Sequence, residues 1–341
     1  MGESFNFQID RENLADSVDS PSQPNYSIDR SRFKNREELR KALDEQSKDR
    51  KRTPINFESN NFDGLSFSLA FTASVIKSEK LKWLPPGIHH DQKCVIVSPG
   101  PSVTRFDVIE KIRRLAKNGA VVFGIKEGLK LLVERKIQPR YAVQIDAGHN
   151  QIKKTPIVKG VTYCLATTVH PVVFLHLLDG GCPLYVFNSA ADAKNAVENE
   201  HQLYTRHFRK LGWDGWGAIG GYDVTSRAVA VAIRMGFSKI WVAGADYGFR
   251  PGSSYYAKGC TEKAGNSKIE VTDNGYIDGP KRPWITRPDL LGSAVHMGRL
   301  CKLGKIHILG DSMAKSLSTH DEEFWKRVAG PNKVIIPERG Y

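Results

Sequence analysis

The 341-residue sequence contains no Cys-x-x-Cys pair, no histidine–cysteine cluster at zinc-ligand spacing and no HExxH. These absences argue against a metal site built from a compact local motif. Its five cysteines (Cys94, Cys164, Cys182, Cys260 and Cys301) are odd in number and far apart, which favours buried free thiols in a reducing compartment. No window approaches the ~18 apolar residues of a membrane-spanning helix. The opening MGESFNFQIDRENLADSVDS has acids where a secretory signal would have an apolar centre. A cytoplasmic protein without a membrane span is the expectation. GxSxG is missing, which disfavours a serine hydrolase, and there is no internal repeat or low-complexity tract.

What is present fits a globular α/β protein. Apolar residues make up 40% and charged residues 26% of the chain, near the averages for folded domains. The net charge of +13 is unevenly placed: residues 1–60 hold 11 basic and 12 acidic residues, and the other 281 hold 39 against 25. A basic folded body suits an acidic partner such as a nucleotide phosphate or nucleic acid, although charge also serves solubility alone.

Residues 1–60 are polar and lack apolar periodicity, so they read as an arm; 61–92 read as a helical lead-in ending at Pro85-Pro86-Gly87. From 93 to 310, short β-branched runs alternate with helical patterns, among them Cys94–Val97, Phe106–Lys117, Glu127–Arg135, Tyr141–Ile145, Val224–Met235 and Lys239–Ala243. This alternation predicts an α/β, Rossmann-like, mostly parallel sheet with helices on both faces. The pattern fails over 247–288, rich in Gly, Pro, Asn and Tyr, which reads as a long lid or binding loop or conceals a hairpin such as KIEVTDNGYID. Residues 311–341 read as a tail.

Three strand exits carry the candidate chemistry. In VIVSPGPSV, residues 95–103, a strand ends in a turn stiffened by two prolines, where Gly100 leaves room for a ligand oxygen and Ser102 adds a hydroxyl. The stretch is neither GxGxxG nor GxxxxGK[ST], so it is equally readable as a stiff structural turn. Thr104 and Asp107 have capping-box spacing. In YAVQIDAGHN, residues 141–150, Asp146 closes an apolar strand and His149 follows; the acid could hold a ribose, a metal or an attacking hydroxyl, or simply cap a turn. In AIGGYDVTSRAVAVAIRMGFSKIWVAGADYGF, residues 218–249, Gly220-Gly221 precedes a helix and Gly244-Ala245-Asp246-Tyr247 closes the next strand. Asp223 there is equally an N-cap.

The order of these pieces, GPSV after a first strand, Asp-x-x-His about fifty residues later, then Gly-Gly-x-x-Val, an alanine-rich helix, a strand and Gly-x-Asp, resembles the MptE-like family over about residues 93–260. That family takes its name from archaeal 6-hydroxymethylpterin diphosphokinase and includes bacterial motility accessory factors associated with flagellin glycosylation. Its core is similar to that of sialyltransferases using CMP-activated sugars. GGYDV departs from the simpler Gly-Gly-Ser-Val form, which leaves the role of Asp223 open. The resemblance implies that Gly100, Pro101 and Ser102 contact donor phosphate or ribose and that Asp146 and Asp246 line the same crevice. Ser98, Gly220, Gly221, Gly244 and Tyr247 complete the expected nucleotide-binding set; Asp146, His149 and Asp246 form the expected catalytic set.

Three functions follow. The first is a glycosyltransferase using a CMP-type sugar donor on an acidic or large acceptor, with Asp146 or His149 as base. The second is a diphosphokinase using ATP, with Mg2+ held by Asp146 and Asp246. The third is a non-catalytic nucleic-acid- or partner-binding protein that uses the basic stretches Arg30–Arg52 and Arg105–Arg140, with Tyr255, Tyr256 and Trp284 stacking on bases. Oligomeric state is not set by the sequence.

Overall fold

The computed structural model describes residue 69 and residues 72–147, 149–191, 196–250, 269–271, 284–286 and 288–319. The polar arm 1–60, most of 251–283 and the end of the chain lie outside the described residues.

Two strands precede the first long helix: β1 (Lys82–Trp83) and β2 (Lys93–Val97). Then come α1 (Phe106–Lys117), β3 (Val121–Ile125), α2 (Glu127–Glu134), β4 (Tyr141–Gln144), β5 (Thr162–Ala166), α3 (Pro171–Asp179) and β6 (Leu184–Ala191). The second half contributes α4 (Ala196–Phe208), β7 (Gly217–Gly220), α5 (Val224–Arg234), β8 (Lys239–Ala243), β9 (Ile269–Val271), β10 (Trp284–Thr286), α6 (Pro288–Lys302), β11 (Ile306–Leu309) and α7 (Met313–Leu317). The main sheet runs β1-β6-β5-β4-β3-β2-β8-β11, with β7 beside the later half of β6. Every pairing in it is parallel. The fold is thus α/β and Rossmann-like, as the alternation predicted.

A parallel sheet needs both faces covered, and the two-residue alternation of β2 shows how this is met. Val95 and Val97 face a smaller core with Val108, Ile109 and Ile112 of α1 and Leu131 and Leu132 of α2. Cys94 and Ile96 face the larger core with α3, α5 and α6. In α5 the small residues Ala228, Val231 and Ala232 are fully buried, which lets that helix pack closely on the sheet.

Several boundaries differ from the sequence reading. The helix after Ser102 starts at Phe106 and its N-cap, Arg105, makes no side-chain cap bond; Asp107 pairs with Arg105 and Thr104 Oγ1 donates to the Pro101 carbonyl, so the Thr104/Asp107 capping box does not form. The tail boundary at 310 cuts through packed structure, because Ser312, Met313, Ala314 and Leu317 are buried, with α7 packed on α6 and Ser312 and Met313 bonded to the turn that follows β8. In the long 247–288 segment β9 pairs antiparallel with β10, residues 284–286; the expected turn Asp273-Asn274-Gly275 lies outside the described residues. Phe249 bridges Ile285, which ties the start of that segment to its end.

The connection order decides where a site can form. From β2 to β6 the chain crosses the sheet in one direction, then returns to lay β8 on the opposite flank of β2. At such a reversal the strand exits diverge, and the crevice between them is where α/β sheets place ligands. The β2 and β8 exits are also locked together. Ser98 N–H donates to Ala243 O and Gly100 N–H to Gly244 O, both at 2.9 Å. A Cβ on Gly100 would lie 2.3 Å from the Gly244 carbonyl oxygen, and one on Gly244, at φ +70°, would lie 2.0 Å from the Ser98 carbonyl oxygen.

Gly244→Ala should therefore combine left-handed strain with a backbone clash and cost roughly 3 kcal/mol or more. Gly119→Ala, at φ +83° with nothing within 4 Å of the added carbon, isolates the strain alone and should cost only about 1 kcal/mol. Urea unfolding of both variants checks the difference.

Candidate active site at the strand exits

Because the main sheet is wholly parallel, the exits of β2, β3, β4, β7, β8 and β11 open on one edge. The expected set around Gly100, Asp146 and Asp246 therefore shares that rim. The residues themselves do different work.

Around β2 and β8 the predicted groups are occupied by one another. Asp246, only 5% exposed, accepts the Ser102 N–H at 2.7 Å on Oδ2 and the Ser102 hydroxyl on Oδ1. Its backbone carbonyl accepts the Met313 N–H, and the Ser312 hydroxyl donates to Ala245 O at 2.6 Å. Burial pushes the Asp246 carboxyl up to about 7; the Ser102 bonds pull it back, Asp311 raises it and Arg105 lowers it. The space beside Gly100, expected to admit a ligand oxygen, is filled by the Gly244 carbonyl. Pro101 opens a short 3-10 turn, Pro101–Thr104, and stays partly exposed.

On the β7 side, Gly221 makes room for α6, since a Cβ there would meet Ser293 Cα at 2.7 Å, and Gly220 lies against Ser226. Asp223 is the N-cap of α5, accepting the Ser226 N–H at 2.9 Å. Burial raises its carboxyl, while the Ser226 N–H and Arg227 oppose the shift. Ser98 is buried and its hydroxyl meets that of Thr225 at 2.7 Å, which joins the β2 exit to the start of α5. Tyr247, at φ +60°, is 7% exposed, and burial followed by the neighbouring Asp223 charge drives its phenol well above the usual range. It forms part of the core beneath the rim.

Toward β4 the rim is more open. Asp146 is 30% exposed along its side chain, and Lys126 Nζ, 20% exposed, reaches its Oδ2 at 2.7 Å. Gln144 Oε1 accepts the N–H groups of Ile145 and Asp146, which shapes the turn that aims the acid outward. His149 begins a 3-10 turn, His149–Lys154, but its side chain lies outside the described residues.

Two cations were missed in the sequence reading. One is Lys126, visible in retrospect as the centre of Gly124-Ile125-Lys126-Glu127-Gly128 at a strand end. The other is Arg227, 5% exposed, whose guanidinium donates to Gly221 O, Ala218 O and the Ser189 hydroxyl. An arginine inside an apolar helical face gives little linear signal. Trp284, offered as a base-stacking residue, is 2% exposed and lies under Arg250, 3.6 Å from its ring centroid; it is a core side chain. Tyr255 and Tyr256 lie outside the described residues, as does Cys260. Cys94, Cys164 and Cys182 are buried free thiols and Cys301 is partly buried. Among the described residues no three His, Cys, Asp or Glu side chains group as a metal site, and no helix is long and apolar enough to cross a membrane.

The profile of the family described as 6-hydroxymethylpterin diphosphokinase MptE-like matches residues 71–252. A solved structure, that of the MAf glycosyltransferase from Magnetospirillum magneticum AMB-1, is similar with a TM-score of 0.49 and 14% identity. The match covers 86% of this chain and 46% of that one, so this chain spans about half the length of that protein. No curated protein matches the chain.

The Asp246 carboxyl generates a pH signature. In the folded state it holds its proton up to about pH 7, whereas an unfolded aspartate loses it near pH 3.9. The folded chain therefore binds more protons between these values, and stability should fall as pH rises from about 4 to 7. Asp246→Asn should flatten that slope, measured as the difference in urea midpoint between pH 5 and pH 7.5.

Proposed function

The chain belongs to the MptE-like family, and on that premise we propose that it is a nucleotide-dependent transferase whose donor lies across the β2, β3 and β4 exits. The group transferred on this reading is a sugar from a CMP-type donor, passed to the hydroxyl of an acidic or large acceptor.

The observation that carries the reading is the contrast between the two aspartates. Asp146 stands at an open part of the rim beside a cation. Asp246 is buried, and each of its oxygens already accepts a bond from Ser102. A magnesium site built on both acids would have to break that clamp, whereas sugar transfer needs one carboxylate free for proton transfer and cationic support for a departing phosphate. In such a transfer the bond from the anomeric carbon to the phosphate oxygen breaks, its electron pair stays with the nucleotide phosphate, and the acceptor oxygen bonds to that carbon. The acceptor proton passes to the Asp146 carboxylate. Asp246 acts as a positioning residue by holding Ser102 and the SPGPS turn against β8.

The family description supports a second reading, diphosphoryl transfer from ATP with Mg2+. There Asp146 would carry the metal and Asp246 would have to release Ser102.

A thermal-shift comparison of CMP, CDP, UDP, ADP and ATP, each with and without Mg2+, separates the two. CMP or CDP stabilising the chain without metal is the expected result; stabilisation by ATP only in the presence of Mg2+ points to the diphosphokinase. Asp146→Asn should keep nucleotide binding while turnover falls by about 10²-fold or more. Binding that survives in Asp146→Asn, responds to no nucleotide and collapses with salt would instead mark a general polyanion binder.

A further inference from the structure

Strand β3 passes into α2 through a single residue. Ile125 ends the strand, Glu127 begins the helix, and Lys126 between them has φ +49° and ψ −128°. L side chains rarely adopt this conformation, and a lysine held in it is strained unless its surroundings fix it. The glycines at either side allow so sharp a turn. A Cβ on Gly124 would lie 2.8 Å from Leu129 Cα, and one on Gly128 would lie 2.4 Å from the Val97 carbonyl oxygen. Strand, strained residue and helix, bracketed as Gly-x-Lys-x-Gly, form an elbow of the type that holds a reactive serine at the edge of other α/β sheets. Here the side chain at the bend is a lysine.

The elbow sets Lys126 next to the β2 exit, because Gly128 packs on Val97 and Ser98, and its ammonium meets Asp146 across the gap between β3 and β4. Glycine would occupy the position without strain, so the backbone itself does not require lysine there. The pair is partly exposed, and an ion pair of that kind contributes little to stability. Turn geometry does not call for a lysine at this bend; what the side chain adds there is a cation on the rim beside Asp146.

We propose that Lys126 is the cation that takes a phosphate oxygen of the nucleotide donor, exchanging Asp146 for it. This rests on the transferase reading above. The ammonium neutralises Asp146; donor phosphate competes for the ammonium, and the carboxylate released from it becomes available to accept the acceptor's proton. Donor binding thereby precedes activation of the acceptor. As the bond to the sugar breaks, negative charge grows on the oxygen facing Lys126, so the contact strengthens toward the transition state.

Isothermal titration of the full chain with CMP and with sodium pyrophosphate tests the exchange, using Lys126→Gly, Lys126→Gln and Asp146→Asn beside the parent. Lys126→Gly should melt no lower than the parent, because the strain is relieved, yet bind both probes at least tenfold more weakly; Lys126→Gln should show the same loss of affinity. Asp146→Asn should bind pyrophosphate several-fold more tightly, its competitor for the ammonium having been removed. Parent-like affinity in both Lys126 variants overturns the elbow's role and leaves the transferase reading standing. Unchanged or weaker binding in Asp146→Asn overturns the exchange. A parent chain that binds neither probe overturns the transferase reading together with the elbow.

Discussion

The contact on which the rest of this structure depends is the one between the two turns that leave β2 and β8. Two backbone hydrogen bonds, Ser98 to Ala243 and Gly100 to Gly244, carry the sheet ladder past the ends of the strands, and the carboxylate of Asp246 then takes both donors of Ser102. Carbonyl oxygens and backbone atoms approach so closely that no side chain fits at either glycine. The two halves of the doubly wound sheet are thus fastened at the point where their connections diverge, which is where the crevice must be held to a fixed width. Gly310, at φ +88° beside Ser102, brings the β11 exit into the same fastening.

That arrangement divides the acids of the rim into two kinds. Asp223 and Asp246 are bonded into the fold: one caps α5, the other accepts both donors of Ser102, and both carry carboxyls raised by burial. A carboxyl group so placed is retained because N–H and hydroxyl donors compensate its lost hydration. Asp146 differs by lying at a more open position with an ammonium beside it. Burial and partner, more than position along the chain, separate Asp146 from Asp223 and Asp246. The aromatic side chains follow the same logic, since Trp284 lies in the core and is thereby removed from base stacking at the surface, and Tyr247 is buried as well.

The periodic part of the fold was legible from residue order. Phe106–Lys117 and Lys239–Ala243 appear with the bounds read from hydrophobic spacing, and β2, β4, α2 and α5 differ by one residue at an end. Strands β1, β7 and β10 were not read: two to four residues long, rich in tryptophan or glycine, they carry too few alternations to register. Their existence depends on partners that lie far away in the chain, such as β6 for β1 and β7. The short helix Met313–Leu317 reads as part of a tail for the same reason, its burial being visible only once α6 is placed beside it.

For the site, residue order alone determined that glycine- and acid-bearing turns follow parallel strands, and parallel strands oblige those turns to share one edge. What tertiary structure decided is the occupant of each gap. Gly100 reads identically in one dimension whether its missing Cβ admits a phosphate or a neighbouring carbonyl, and the sheet reversal that brings Gly244 against it made the choice. Lys126 likewise reads as one basic residue among many in Arg105–Arg140 until a single-residue bend and a carboxylate on the next strand single it out. Local periodicity is a property of neighbours in sequence, whereas hydration, charge pairing and steric room are properties of neighbours in space.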